Sequence, residues 1–285
     1  VFATKNKNKN FIKNKQIKYF QGNLKDFKFC NKITKSIDVV VMCAAVSSGA
    51  MIIQNNPMYH VDDNVIINLN ILKASANNKV KKFIFLSSNT VYPPGKKSMK
   101  ENDLNYKLFY KYFNVGWMKI FSEKLCEMYK KKMVINIIRP ANLYGPYDKF
   151  DKIRSKVIPS LIRKFETQKQ VEVWGSGNDV KDFLYIEDFI NCLFIILEKI
   201  NNFQIFNIAS SKPVTIKKIV SILKKIYSYK KVKAVFNSNK PSMIPFRKIN
   251  NNKFKNISNY KIKFPLEIGL KKTIDWYKNN KNIVN

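Results

Sequence analysis

Phe83-Ile84-Phe85-Leu86-Ser87-Ser88-Asn89-Thr90-Val91-Tyr92, then Val115-Gly116-Trp117-Met118-Lys119, then Arg139-Pro140-Ala141-Asn142-Leu143-Tyr144-Gly145-Pro146 decide how the chain folds. An apolar strand ends in two hydroxyl residues, a helix follows with a lysine one turn in, and a second apolar strand ends in a turn. In an open α/β sheet this order puts side chains at the carboxyl ends of parallel strands, where such sheets bind ligands.

Working outward, Ile37 to Met42 is a continuous apolar run suited to a strand buried on both faces. It runs into Cys43-Ala44-Ala45-Val46-Ser47-Ser48-Gly49, small residues that serve either a tight strand-to-helix turn or a loop approached closely by a ligand. Asp62 and Asp63 are placed to cap the next helix, with Ile66, Leu69, Ile71 and Leu72 facing the sheet. Val1 to Thr4 reads as the end of a strand, Lys5 to Lys15 as a polar loop, and Ile17 to Phe20 and Met133 to Arg139 as strands. Helices are predicted from Val157 to Phe165, from Glu187-Asp188 to Leu197, from Ile216 to Tyr227 behind a Thr215 cap, and from Leu266 to Tyr277.

The formal charge of +34, from 53 basic and 19 acidic residues, invites a nucleic-acid reading. The kind of base argues against a specific one. Arginine supplies only Arg139, Arg154, Arg163 and Arg247, whereas base and phosphate readers favour its bidentate fork. Lysine is instead spread evenly, so no specific nucleic-acid partner is expected. Cys30, Cys43, Cys126 and Cys192 lack metal-like or paired spacing, which points to a reduced, cytoplasmic protein, and with His60 the only histidine a metal site is not expected. Apolar runs are strand-sized, so no membrane partner is expected.

The order of these pieces, continued by Val173-Trp174-Gly175-Ser176-Gly177 and Lys181-Asp182-Phe183-Leu184-Tyr185-Ile186-Glu187-Asp188, resembles the extended short-chain dehydrogenase/reductases, the NAD-dependent epimerase/dehydratases that act on nucleotide sugars. The resemblance implies an α/β fold with a Rossmann-type parallel sheet and a small α+β substrate-binding lid. Residues 1–150 with 178–210 would form the NAD(P)-binding part, and 151–177 with 211–285 the substrate-binding part. It implies hydride transfer at a keto or hydroxyl carbon of a nucleotide-linked hexose, the proton being handled by a tyrosine beside a lysine. Ser88 matches the hydroxyl that holds the sugar oxygen, and Lys119 matches the lysine. The tyrosine position is Val115, so Tyr112 is the candidate replacement, provided that Asn114 caps the helix and leaves Tyr112 free to fold back toward Ser88. Without a replacement, the chain would be a silent relative that binds a sugar nucleotide or a partner without turnover.

Other positions follow the same resemblance. Cofactor contacts are expected from Lys5, Asn23, Leu24, Ala44, Ala45, Lys119, Asn142 and Leu143. Lys5 suits a 2′-phosphate, and with no acid after the second strand NADP is preferred to NAD. Substrate contacts are expected from Thr90, Tyr147, Arg163, Trp174, Lys181 and Arg247, although Trp174 also suits a core. In relatives that epimerise, Thr90 and Tyr147 are a cysteine and a histidine, so hydride transfer alone is the simpler expectation. A homodimer through the Lys119 helix and its neighbour is implied as well. No G-x-x-G-x-x-G turn is present, and before Gly49 the only glycine is Gly22; the first strand and its glycine turn are therefore expected upstream of Val1.

Overall fold

The computed structural model describes residues 1–6, 12, 14–47, 49–240 and 243–284; Ser48 and most of the Lys5-to-Lys15 loop lie outside the described residues. The first half of the chain gives β1 (Phe2–Lys5), β2 (Lys18–Gln21), α1 (Phe27–Ile33), β3 (Val39–Met42), α2 (Ala50–Asn55), α3 (Asp62–Asn77), β4 (Lys82–Leu86), β5 (Ser98–Met99) and α4 (Phe113–Tyr129). The second half gives β6 (Val134–Pro140), β7 (Asn142–Tyr144), α5 (Val157–Thr167), β8 (Gln170–Trp174), β9 (Val180–Lys181), β10 (Phe183–Tyr185) and α6 (Ile186–Lys199). It continues with β11 (Gln204–Ile208), β12 (Val214–Thr215), α7 (Ile216–Ile226), β13 (Lys233–Asn237), β14 (Lys248–Ile249), α8 (Asn252–Ser258) and α9 (Leu266–Val284).

Apolar runs without alternation demand burial on both faces, and the central sheet is built from them. It is parallel, in the order β11-β6-β4-β3, with Phe83 opposite Ile135 and Ile84 opposite both Val41 and Asn136. Ile84, Phe85, Ile135, Ile137 and Ile138 are fully buried, and α3 and α4 supply Ile71, Leu72 and Cys126 to the core on one side. α6 closes the other side with Phe189, Cys192 and Ile196. Lys82, a buried lysine, caps α6 by donating to the carbonyls of Ile196 and Leu197 at 2.9 and 2.5 Å, where the helix dipole favours a cation. β1 and β2 form a separate parallel pair, and among the described residues no ladder joins β1 to β3.

A second core, with Phe150, Ile162, Phe165, Val171, Ile219, Leu223 and Tyr277, packs α5, α7 and α9 around the parallel pair β8 and β13. The Thr215 cap is as expected, its hydroxyl accepting from the Lys218 amide at 3.1 Å. Two expectations fail. Asp62 and Asp63 sit inside the first turn of α3 behind a Val61 cap, and Asp63 reaches Lys25 at 2.9 Å. Ile66 and Leu69 are exposed, because α3 turns Ile67, Ile71 and Leu72 to the sheet instead.

Candidate active site

The carboxyl ends of β3, β4 and β6, together with residues of α2, α3, α4 and α5, line a cavity of about 550 Å³, inside the range of about 300–1,000 Å³ typical of small-ligand sites. β3 contributes the Cys43–Ala45 stretch, β4 contributes Ser87 and Ser88, and β6 with its turn contributes Pro140 to Leu143. The Ala44–Ala45 stretch is fixed from behind by Asn64, whose amide accepts from Val46 N and donates to Val46 O, both at 2.9 Å. Asn142 is fixed likewise, since its backbone and side-chain nitrogens both donate to Asp182 O, at 3.0 and 2.9 Å.

Ser88 caps a single 3-10 turn over Asn89–Val91. Its oxygen accepts from Thr90 N at 3.2 Å and from the Thr90 hydroxyl at 3.0 Å. With both lone pairs of Ser88 engaged, its own proton is the one left to offer to a ligand oxygen. Lys119 donates from Nζ to Leu86 O at 2.8 Å, two residues before Ser88 on the same strand end, and lies over the Phe85 ring at 5.0 Å. Burial pulls its ammonium down to about 8, against the opposing pull of Glu123 and Cys126.

Beneath these two residues runs a buried polar chain. Ser87 Oγ donates to Glu123 Oε1, and Arg139 grips the same carboxylate with Nε at 2.9 Å and a terminal nitrogen at 2.6 Å. Arg139 also donates to Tyr92 Oη at 3.0 Å, and Tyr92 in turn donates to Asn207 Oδ1 at 2.7 Å. Arg139-Pro140 stands in the quoted sequence and Glu123 lies one turn beyond Lys119, but their pairing crosses from β6 to α4, which spacing along one chain does not reveal. The cavity also takes in His60 and Asn64, neither of them singled out from the sequence.

Of the expected site residues, the cavity brings together Ala44, Ala45, Ser88, Thr90, Tyr112, Lys119, Asn142, Leu143, Arg163, Trp174, Lys181 and Arg247. Val115 lines it too, one turn before Lys119. The route proposed for Tyr112 needs correction: Asn114 is not the cap but lies in the first turn of α4, its amide against Met58 Sδ at 3.4 Å, and Tyr112 itself is the cap residue. Burial pushes the Tyr112 phenol up to about 12. Tyr147 is a second correction, being exposed, with backbone φ of 64° and its ring against Trp276 at 4.8 Å, outside the cavity lining.

Lys5, Asn23 and Leu24 also lie outside the cavity. Lys5 ends β1, Asn23 Oδ1 accepts from Lys25 N at 3.0 Å, and Leu24 packs on the core of the central sheet. Also lining the cavity, Lys181 donates to Ile244 O at 2.9 Å, and Arg247 donates to Tyr92 O and Pro93 O at 3.0 and 2.9 Å. The Nε atoms of Arg163 and Arg247 are buried and, among the described residues, have no hydrogen-bond partner. Trp174 is bracketed by the ammonium groups of Lys164 and Lys240, at 5.8 and 6.0 Å from its ring. No cluster of possible metal ligands occurs among the described residues.

Comparison with known proteins agrees with this geometry. A model of the NAD dependent epimerase/dehydratase family matches residues 1–209. The chain is 29% identical over 289 residues to the GDP-L-colitose synthase of Yersinia pseudotuberculosis, covering 90% of this chain and 92% of that one. It is 30% identical over 253 residues to a probable GDP-L-fucose synthase 1 of Oryza sativa subsp. japonica, covering 85% and 76%. Among solved structures, the UDP-glucose 4-epimerase of Thermotoga maritima shares the fold with a TM-score of 0.83 at 23% identity, over 94% of this chain and 86% of that one. The cavity at the strand ends, the Ser88 and Lys119 that line it and a match across most of the chain lead to one assignment: the protein belongs to the NAD-dependent epimerase/dehydratase family of enzymes.

Proposed function

We propose that the chain transfers hydride at a keto or hydroxyl carbon of a nucleotide-linked hexose, in the manner of the GDP-L-fucose and GDP-L-colitose synthases it resembles, with NADP preferred to NAD. The observation that carries this reading is one cavity lined by Ser88 and Lys119 and also by Arg163 and Arg247, whose buried Nε atoms have no hydrogen-bond partner among the described residues. A buried guanidinium with an unused donor is costly unless an anion completes it, and a sugar nucleotide's diphosphate supplies one.

The residues present fit a nicotinamide at the strand-end side. Ala44 and Ala45 carry no side chain large enough to block a ring, Lys119 has donors beyond the one given to Leu86 O, and Asn142 and Leu143 close the opposite wall. When bound, the cofactor supplies or takes up the hydride. The protein's part is to hold the reacting oxygen by the Ser88 proton, to keep a cation beside it in Lys119, and to present the Tyr112 phenol as a further hydroxyl. Thr90 acts through Ser88, and Trp174, Lys181, Arg163 and Arg247 take the nucleotide. Tyr147, its ring tilted against Trp276, supplies no base to the cavity, which favours hydride transfer without epimerisation.

The exposed face of Phe113, Trp117 and Phe121 on α4, beside exposed Ile66 and Leu69 on α3, supports a homodimer through these two helices. Four free thiols support a reducing, cytoplasmic setting. Among the described residues no helix is long and apolar enough to cross a membrane. Val115 in the cavity wall favours a second reading, a relative that binds a sugar nucleotide without turnover. Mixing the protein with NADPH and a panel of 4-keto nucleotide sugars separates them: loss of the reduced-nicotinamide absorbance is expected, whereas saturable binding with no absorbance change would establish the silent relative.

A further inference from the structure

A carbonyl that receives a hydride must also receive a proton, and Val115 has none to give. We propose, resting on the function argued above, that Lys119 is itself the catalytic acid, its ammonium passing a proton to the oxygen that Ser88 holds. The anchoring of its side chain carries the argument. Nζ is tied by one N–H to Leu86 O at 2.8 Å, which holds it at the strand end where Ser88 follows two residues later, and both residues line the same cavity. An ammonium has three donors, so two remain for ligands.

Proton carriers on the elements next to Lys119 are committed or unsuited. On α4, Glu123 is held by Arg139 and Ser87, and Cys126 is buried in the core behind the sheet. At the end of β3, Cys43 has a thiol raised by burial, and near the start of α3 the sole histidine, His60, is lowered by burial and by Lys149, leaving a neutral imidazole at pH 7. Tyr112, pushed up to about 12, releases its proton reluctantly, whereas Lys119 at about 8 is charged at neutral pH and gives its proton up more readily. As the carbon accepts hydride, the carbonyl π pair forms the new O–H bond, one N–H bond of Lys119 breaks, and the neutral amine regains its proton from water.

Two measurements on the full chain test this. Competitive acylation of all lysines across pH, read by peptide mass spectrometry without cofactor, should give Lys119 a midpoint near 8, with exposed lysines at about 10.4. A Lys119 midpoint among the exposed lysines would overturn the assignment. Under turnover, kcat should fall above about pH 8, and this limb should stay in place in Tyr112→Phe whatever the rate of that variant. Lys119→Arg, which keeps the charge but whose guanidinium does not give up a proton near neutral pH, should still bind NADPH while losing about 100-fold or more in kcat. Turnover in Lys119→Arg at the wild-type rate, or a limb displaced by Tyr112→Phe, would instead make Tyr112 the acid. A wild-type chain that turns over no nucleotide sugar defeats the functional reading, while the acylation midpoint decides on Lys119 separately.

Discussion

Glu123 stands one turn beyond Lys119 and is bound from three directions, by Ser87 and by two nitrogens of Arg139. Removing its charge would leave the buried Arg139 uncompensated, and breaking such a pair costs about 3–5 kcal/mol. Glu123→Gln should therefore lower the urea midpoint sharply, while an exposed charge change such as Glu127→Gln leaves it nearly unmoved. Because Glu123 raises the Lys119 ammonium against burial, its loss should also move the alkaline limb to lower pH; a limb moving upward would contradict the electrostatics. At Ser88 the engaged lone pairs make the hydroxyl a donor, so Ser88→Ala should cost about 100-fold in kcat, the scale of a lost oxyanion donor. Thr90→Val should cost less and Thr90→Ser least, measured by initial rates. Ser88 and Lys119 were legible in the sequence as a hydroxyl at a strand end and a lysine one turn into a helix. The Glu123–Arg139 pair was not, since only tertiary packing brings them together.

Gly116 shows how closely α4 approaches the Ser88 turn. A Cβ there would meet Thr90 O at 2.9 Å and Leu108 Cδ1 at 2.7 Å, and the first is backbone that cannot swing away. Gly116→Ala should push α4, and Lys119 with it, away from β4; overpacking of this kind costs about 1–3 kcal/mol. The expected result is a lower Tm together with lost turnover, and full activity at unchanged Tm would mean that the helix has slack. The opposite face of α4 carries the exposed aromatic stripe. Trp117→Glu should shift sedimentation from dimer to monomer if α3 and α4 form the subunit contact, and an unchanged sedimentation coefficient would remove that role. The helix periods were readable, but the hydrophobic pattern of α3 misassigned Ile66 and Leu69. With apolar residues around much of the helix, periodicity does not say which stripe the sheet takes.

At the scale of the molecule, apolar runs foretold β3, β4 and β6 of the central sheet to within a residue or two, but not its edge strand β11. The strands outside the central sheet, some only two residues long, are held by tertiary pairing and carry little periodicity of their own. The charge of +34 was equally plain in the sequence, and its consequence is global. Self-repulsion destabilises the compact state, and its range shrinks from a Debye length of about 30 Å at 0.01 M salt to about 3 Å at 1 M. Calorimetry should therefore show Tm rising with sodium chloride, and a falling Tm would mean that the ion pairs outweigh the repulsion. The central claim is that one cavity gathers the sugar oxygen, Ser88 and Lys119. A crystal structure of the protein with a nicotinamide cofactor and a nucleotide sugar tests it most directly. The account predicts the reacting sugar oxygen within about 3 Å of both Ser88 Oγ and Lys119 Nζ, with the diphosphate on Arg163 and Arg247; a sugar seated elsewhere, or a lysine turned away from it, would contradict the account.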